Sequence, residues 1–427
     1  MFRSTSFTEQ GVDFVERALS LDLNGVARIN IDLARKPDGV ANRNARRVWC
    51  VFLGAWWVNA LLFHTWPRLN APHQLLAIKR CIENMGAQGR AMRTCWVLDH
   101  PAHVRLLAPF LRAGQSNDVI IATKRMEVEA MLENGDGHIP RRQTHWVERP
   151  IGAKKRRIAL QRWRSSHAFL KQCNASPHPI ERIVVIGAAI ELLACRSPFL
   201  RRRLSSIRER WYISDTEPNH AAHRLALQSA THYVLPTHWD STIDGGLLAK
   251  ISSATVHRID GLHGHVHLRP SLRPPAVSDP PRVVVRRLLG NGEHDQREVI
   301  AIPEAAWDGL IVTKADEQEY QGNPWALVQE LSAHDGVITQ SVTMASEAAL
   351  LGVPTLLVSA AQRGFLTRLE DEGYPLFRWG EACEGEAWHS LHAQFLTGLH
   401  LTEALEPAAW PDARAQLAQW FGMTLID

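Results

Sequence analysis

From Thr94 onward the chain repeats one pattern: a short apolar run, a turn, then an amphipathic helix. TCWVLD, NDVIIAT, QTHWVE, ERIVVIGA, RWYISD and HYVLPT read as strands. HVRLLAPFLRA, RMEVEAMLEN, KKRRIALQRWRSSHAFLKQC and NHAAHRLALQSA read as the helices between them. Such alternation implies βαβ units and a parallel sheet. The pattern pauses near residue 270 at RPSLRPPAVSDPPR, whose five prolines can continue neither helix nor sheet. It then resumes with VVVRRLL, GLIVTK, GVIT and TLLVS as strands, and WALVQELSA, TMASEAALL and AQRGFLTRLEDE as helices, before a helical tail from about Glu384. Two α/β halves joined by a proline-rich hinge place a cleft between the carboxyl ends of two sheets, where open α/β sheets bind ligands.

At 427 residues the chain exceeds one ordinary core. Hydrophobic residues at 45% and charged residues at 22% describe a globular protein rather than a disordered one. The six cysteines form no Cys-x-x-Cys pair, which argues against a disulfide framework or a cysteine zinc site and fits a reducing cytoplasm. MFRSTSFTEQGVDFVERAL has no apolar core of the signal-peptide kind. Residues 1–90 read as a mostly helical extension with a polar linker, KPDGVANRNARR. Its segment Val48 to Phe63 would be a helix of roughly 24 Å, short of the roughly 30 Å hydrocarbon core. With Arg43, Arg46, Arg47, Trp56, Trp57 and Trp66 it has the makings of an interfacial helix, or of one packed on its own domain.

The most informative stretch is Asp335 to Ser359, DGVITQSVTMASEAALLGVPTLLVS, which reads strand, polar turn, helix, Gly-x-Pro, strand. The turn Gln340-Ser341-Val342-Thr343 opens the helix, where free N–H groups and the positive dipole end suit a phosphate. Glu347, a turn further in, has the chemistry to accept hydrogen bonds from vicinal hydroxyls; it also suits the helix dipole with no ligand at all.

This stretch resembles the donor-site element of the GT-B superfamily, which includes UDP-GlcNAc 2-epimerase. The chain is more closely similar to an uncharacterised prokaryotic family related to that enzyme. The likeness covers roughly residues 94 to 380 and rests on four segments in order. They are Leu98-Asp99-His100-Pro101-Ala102-His103-Val104; Ser214-Asp215-Thr216-Glu217-Pro218 with Arg224 and Leu225; Val285-Arg286 through Gly292-Glu293-His294-Asp295; and Thr343-Met344-Ala345 with Glu347 to Gly352. The resemblance implies two Rossmann-like domains facing across a cleft. It also implies that Glu347 holds a nucleotide ribose and that the Ser341–Thr343 turn faces a diphosphate. Relatives have glycines where this chain has Ser341 and Val342, so a β-branched residue stands where a phosphate would approach the backbone.

Other candidates flank the expected cleft. Asp99 and His103 follow the first strand; His103 suits a general base, while Asp99 also suits a helix cap. Asp215 and Glu217 follow RWYISD and suit paired acid and base roles, or a cap and a loop carboxylate. Arg286, with His294 and Asp295 in the loop beyond it, suits a second clamp on phosphates, or a solvated turn; since neighbouring strand residues face opposite ways, at most one of Arg286 and Arg287 is expected to face the cleft. His257, His263, His265 and His267 are conspicuous, and on a strand the last three would share one face, but no metal site is expected because relatives lack them. Basic runs at Lys154–Arg157 with Arg162 and Arg164, and at Arg201–Arg203 with Arg208 and Arg210, read as solvated helix faces or as contacts for an anionic membrane.

The expected division is therefore an extension over 1–90, an acceptor domain over 91–270 and a nucleotide-sugar domain over 271–427. The expected activity is glycosyl transfer from a UDP-linked sugar to a glycan or lipid-linked acceptor in cell-surface polysaccharide or glycolipid assembly. UDP-sugar 2-epimerisation or hydrolysis, and a non-catalytic binding or scaffold role, are the alternatives. The nucleotide sugar is a co-substrate and no further cofactor is expected. The expected location is the cytoplasm, with peripheral association at the inner membrane face; a mild net charge of +4 without an aromatic platform does not suggest nucleic acid.

Overall fold

The computed structural model describes residues 92–133, 139–148, 155–187, 189–196, 204–214, 216–261, 263–269, 278–288, 299–316, 323–400 and 410–425, together with two short strands near the start. The chain divides into two compact units, Met1–Gly89 and Arg90–Asp427. In the first, β1 (Leu19–Leu21) pairs antiparallel with β2 (Ala27–Ile29). The rest of the expected helical extension, with Val48 to Phe63, lies outside the described residues. Among the described residues no helix is long and apolar enough to cross a membrane.

The second unit holds two wholly parallel sheets, the doubly wound pair that the alternation predicts. The first contains β3 (Thr94–Leu98), β4 (Val119–Thr123), β5 (Gln143–Val147), β6 (Arg182–Ile186), β7 (Glu209–Ile213), β8 (His232–Pro236) and β9 (Thr255–Ile259), in the order β5-β4-β3-β6-β7-β8-β9. The second contains β10 (Arg282–Arg286), β11 (Ile311–Lys314), β12 (Gly336–Thr339), β13 (Thr355–Val358) and β14 (Leu376–Trp379), in the order β11-β10-β12-β13-β14. Each sheet reverses its winding once, between β3 and β6 and between β10 and β12. Strand directions diverge there, and a crevice opens at the carboxyl ends.

Helices cover both faces of each sheet, so central strands are continuous apolar runs. Along β3, Cys95 and Val97 enter one core and Trp96 and Leu98 the other, as a two-residue period requires. The second sheet divides in the same way, with Val284, Val337 and Leu357 on one face and Val283, Ile338 and Leu356 on the other. Most of the proline-rich connection lies outside the described residues. The chain does not end in the half that precedes its end. The helix Ala413–Phe421 returns to the first sheet, where Phe421 meets Trp96, Phe110 and Trp211 edge-on at ring distances of 6.0, 5.3 and 5.0 Å. Arg182 Nη1 fixes that helix end by donating to the Phe421 carbonyl at 2.7 Å.

Phe421→Ala removes a buried ring shared by three aromatic neighbours. It should cost about 3–5 kcal/mol, read as a lower midpoint in urea unfolding followed by Trp fluorescence.

Candidate functional site

The two winding reversals carry the candidate residues. At the carboxyl end of β3 stand Asp99, His100 and the first turn of the helix Pro101–Ala113. His100 is that helix's N-cap: its Nδ1 accepts the Ala102 N–H at 3.3 Å, and Pro101 opens the helix without needing a donor. At the carboxyl ends of β10 and β12 stand Arg286 and the Gln340–Thr343 turn. Ser341 caps the helix Val342–Leu350, accepting from Met344 N at 3.4 Å, which leaves the Val342 and Thr343 amides as orphan donors of the first turn. Val342 packs on the core of the second half, which accounts for a β-branched residue there. Gln340 is buried and braces the turn, accepting from Leu288 N at 2.7 Å and donating to the Ile300 carbonyl at 2.5 Å.

Glu347 is the centre of the interface between the halves. Its carboxylate accepts from Arg105 Nη2 at 2.8 and 2.9 Å through its two oxygens, and Oε1 also meets His267 Nε2 at 3.1 Å. Glu347 is 1% exposed and Arg105 6%. Burial works to raise the Glu347 pKa, but the charge of Arg105 and the His267 contacts outweigh it and hold the carboxyl down at about 2. As arranged, the expected ribose-binding face is closed: a ribose reaches this carboxylate only by displacing Arg105 or His267. The pairing is also incomplete. Nη2 of Arg105 makes both bonds, while Nε and Nη1 are buried with no hydrogen-bond partner. Leaving a buried donor unmade costs about 1–3 kcal/mol.

Beside Glu347 lies a crevice, partly open to solvent, lined by Ala102, His263, His267, Thr343, Ser346 and Glu347 among others. Its surroundings are cationic. His100 keeps solvent contact, yet the protein packed around it and the charges of His103, Arg125, Arg105 and Arg286 push its pKa down to about 3. Arg286 and His103, from different sheets, thus act on one place. Arg287 turns the other way and pairs with Asp316 through Nε at 2.9 Å, as strand alternation predicts.

The expected acid–base carboxylates are already engaged. Asp99 Oδ1 accepts from Thr123 Oγ1 at 2.7 Å and from Arg162 Nη2 at 2.8 Å; burial would raise its pKa, and Arg162 reverses that and lowers it. Arg162 also donates through Nε to Glu191 at 2.6 Å, so this arginine is a buried strut rather than part of a solvated run. Glu217 is 1% exposed, and its Oε1 accepts from Gly364 N at 3.0 Å and Asp240 N at 3.2 Å, tying the first half to the first residue of the helix Gly364–Asp371. His103 Nδ1 accepts the Asp99 N–H at 3.4 Å, which places the neutral ring's proton on Nε2. So held, Nε2 is a donor, whereas the expected general base needs an acceptor there.

Asp215, His294 and Asp295 lie outside the described residues, as do Lys154 and Arg201–Arg203. The histidine cluster does not form a strand face. His263–His267 is a turn of helix, which splits the three residues: His267 bonds Glu347, while His265 packs against Trp410 with rings 4.5 Å apart. His257 lies on β9 and stacks on Trp211. Among the described residues no group of three or more His, Cys, Asp or Glu is arranged to hold a metal ion.

Comparison with known proteins bears on the fold. No family model matches the sequence, and no curated protein matches it. Solved structures do match. A Listeria monocytogenes protein described as a UDP-N-acetylglucosamine 2-epimerase superposes with a TM-score of 0.50 at 14% identity, covering 78% of this chain and 95% of its own. UDP-GlcNAc 2-epimerase from Neisseria meningitidis, bound to UDP-GlcNAc, gives 0.46 at 10% identity, with 78% and 99% covered. MurG from Acinetobacter baumannii gives 0.41 at 12%, with 77% and 99% covered. The chain has the two-domain α/β fold of the Listeria protein.

Proposed function

We propose that the protein is a nucleotide-sugar enzyme, a GT-B-type glycosyltransferase that takes a UDP-linked sugar as co-substrate and passes it to a glycan or lipid-linked acceptor in cell-surface polysaccharide or glycolipid assembly. One observation carries the reading. Two α/β sheets meet at their winding reversals, and fixed cations from both, Arg105 and Arg125 from one and Arg286 from the other, converge with the imidazoles of His100 and His103 beside the orphan amides at Val342 and Thr343. A diphosphate is the group such a place neutralises.

In this reading the second half holds the nucleotide and the first half the acceptor. Glycosyl transfer builds positive charge on the sugar and negative charge on the departing diphosphate. Fixed cations and backbone donors lower that barrier without reorganising. His103, with its proton on Nε2, suits donation to a developing oxyanion; returned to its other tautomer, it suits removal of an acceptor proton. Peripheral attachment to an anionic membrane face is part of the proposal; Arg156, Arg157 and Arg164, exposed on the helix Lys155–Asn174, support it.

A second reading, 2-epimerisation or hydrolysis of a UDP-sugar, is favoured by the fold likeness to the Listeria protein. Incubating the purified protein with UDP-GlcNAc alone separates the two: an epimeric sugar nucleotide or free UDP supports the second reading, and an unchanged substrate supports the first.

Calorimetric titration should show UDP binding to the wild type. Arg286→Ala should weaken it by roughly 10- to 150-fold, the worth of a charged hydrogen bond of about 1.5–3 kcal/mol. If the wild type binds no nucleotide, the reading loses its support. His103→Ala should lower kcat by about 10²–10⁴-fold while UDP affinity holds. A normal kcat would remove His103 from the chemistry.

A further inference from the structure

The Arg105–Glu347 pair fastens the two halves, yet its geometry leaves much of the guanidinium unused. A fastener is best made fork to fork, with two nitrogens on two oxygens. Here one nitrogen, Nη2, serves both carboxylate oxygens. The remaining N–H groups, on Nε and Nη1, have no acceptor, although Arg105 is 6% exposed. A guanidinium has no way to shed its charge to escape that situation, because it does not deprotonate in proteins.

The surroundings say what is compatible with those donors. Arg105 sits one helical turn beyond Ala102, which lines the crevice, and both its carboxylate partner and His267 line it as well. Thr343, at the amino end of the opposing helix, and Ser346 complete that wall. The other fixed charges acting near His100, from Arg125 and Arg286, are positive. Two unmet donors on a buried guanidinium, helix amides opposite and cations around them call for an oxyanion.

We infer that Arg105 is an anion-binding residue of the cleft, receiving a phosphate oxygen of the ligand on Nε and Nη1, and that Glu347 is the positioning carboxylate that aims it. This deepens the nucleotide-sugar reading and rests on it for the identity of the ligand. It gives Glu347 a part that needs no contact with the ribose. It also makes His267 a third member, since its Nδ1 meets the His263 carbonyl at 3.0 Å and its Nε2 steadies Glu347.

The test uses the full chain, with calorimetry of inorganic pyrophosphate and of UDP in parallel. Arg105→Met alone would strand the Glu347 carboxylate, so the decisive variant is Arg105→Met with Glu347→Gln, which removes both charges and leaves His267 an acceptor. Near-UV circular dichroism establishes that it is folded. It should bind both pyrophosphate and UDP roughly tenfold or more weakly than the wild type. Glu347→Gln alone should weaken the two ligands by the same factor, because it acts through Arg105. Loss of UDP affinity with pyrophosphate affinity retained would mean that Glu347 contacts the ribose, and would overturn the positioning role. A folded double variant that binds pyrophosphate as the wild type does would overturn the inference and leave the nucleotide-sugar reading standing. Arg105-dependent pyrophosphate binding without UDP binding would do the reverse. A wild type that binds neither overturns both.

Discussion

An arginine and a glutamate 242 residues apart hold the two sheets of this molecule in one arrangement. Both are buried, so neither tolerates separation: a buried charge deprived of its partner costs about 3–5 kcal/mol. That penalty couples the halves more tightly than apolar contact, which slides at little cost. Two further contacts set the angle. Glu217 reaches across to the Gly364 amide, and Arg368 reaches back to Asp260 at 3.3 Å. Gly364 has to be glycine there, since a Cβ would come within 1.7 Å of the His238 carbonyl oxygen. Backbone from one half thus lies directly on backbone from the other, and the crevice is what remains beside that contact.

Much of this fold is readable from the chain because the central strands are buried on both faces. Burial on both faces demands unbroken apolar runs such as VIIAT and RIVVI, and those stand out. Within the second unit, the strands that escape a sequence reading, β9 and β14, are both at sheet edges. Their residues TVHRI and LFRW are largely exposed or half-buried and mixed in character, so they carry no run to detect. The ligand-facing strand ends were legible too, through Asp99, His100 and the Ser341–Thr343 turn, because a polar turn after an apolar strand is a local signal; the strand order that puts them at winding reversals was not. The partners of those residues were not. Nothing local in HVRLLAPFLRA names Glu347 as the acceptor of Arg105; the hint is only that a charge stands among Val104, Leu106 and Leu107 on an apolar helix. Arg162 shows the converse, a residue of an evident basic run whose guanidinium is buried between Asp99 and Glu191.

Engaged carboxylates also shape what chemistry the cleft can host. Asp99, Glu217 and Glu347 are each tied to a cation or to backbone amides, and Asp99 and Glu347 are held in the ionised form. Groups so held orient their neighbours well and exchange protons poorly. The two imidazoles after β3, His100 and His103, both accept a backbone N–H on Nδ1 and present Nε2 outward from that bond.

The returning helix Ala413–Phe421 has a bearing on how the protein is made. Ribosomes deliver the first sheet long before the residues that complete its core, and α/β halves ordinarily fold as they emerge. Here Trp96, Phe110 and Trp211 lack their shared neighbour until Phe421 has been synthesised. The amino-terminal sheet therefore waits, with an apolar face uncovered, through translation of the entire second half. A chain stalled before Phe421 would present that face to chaperones and proteases.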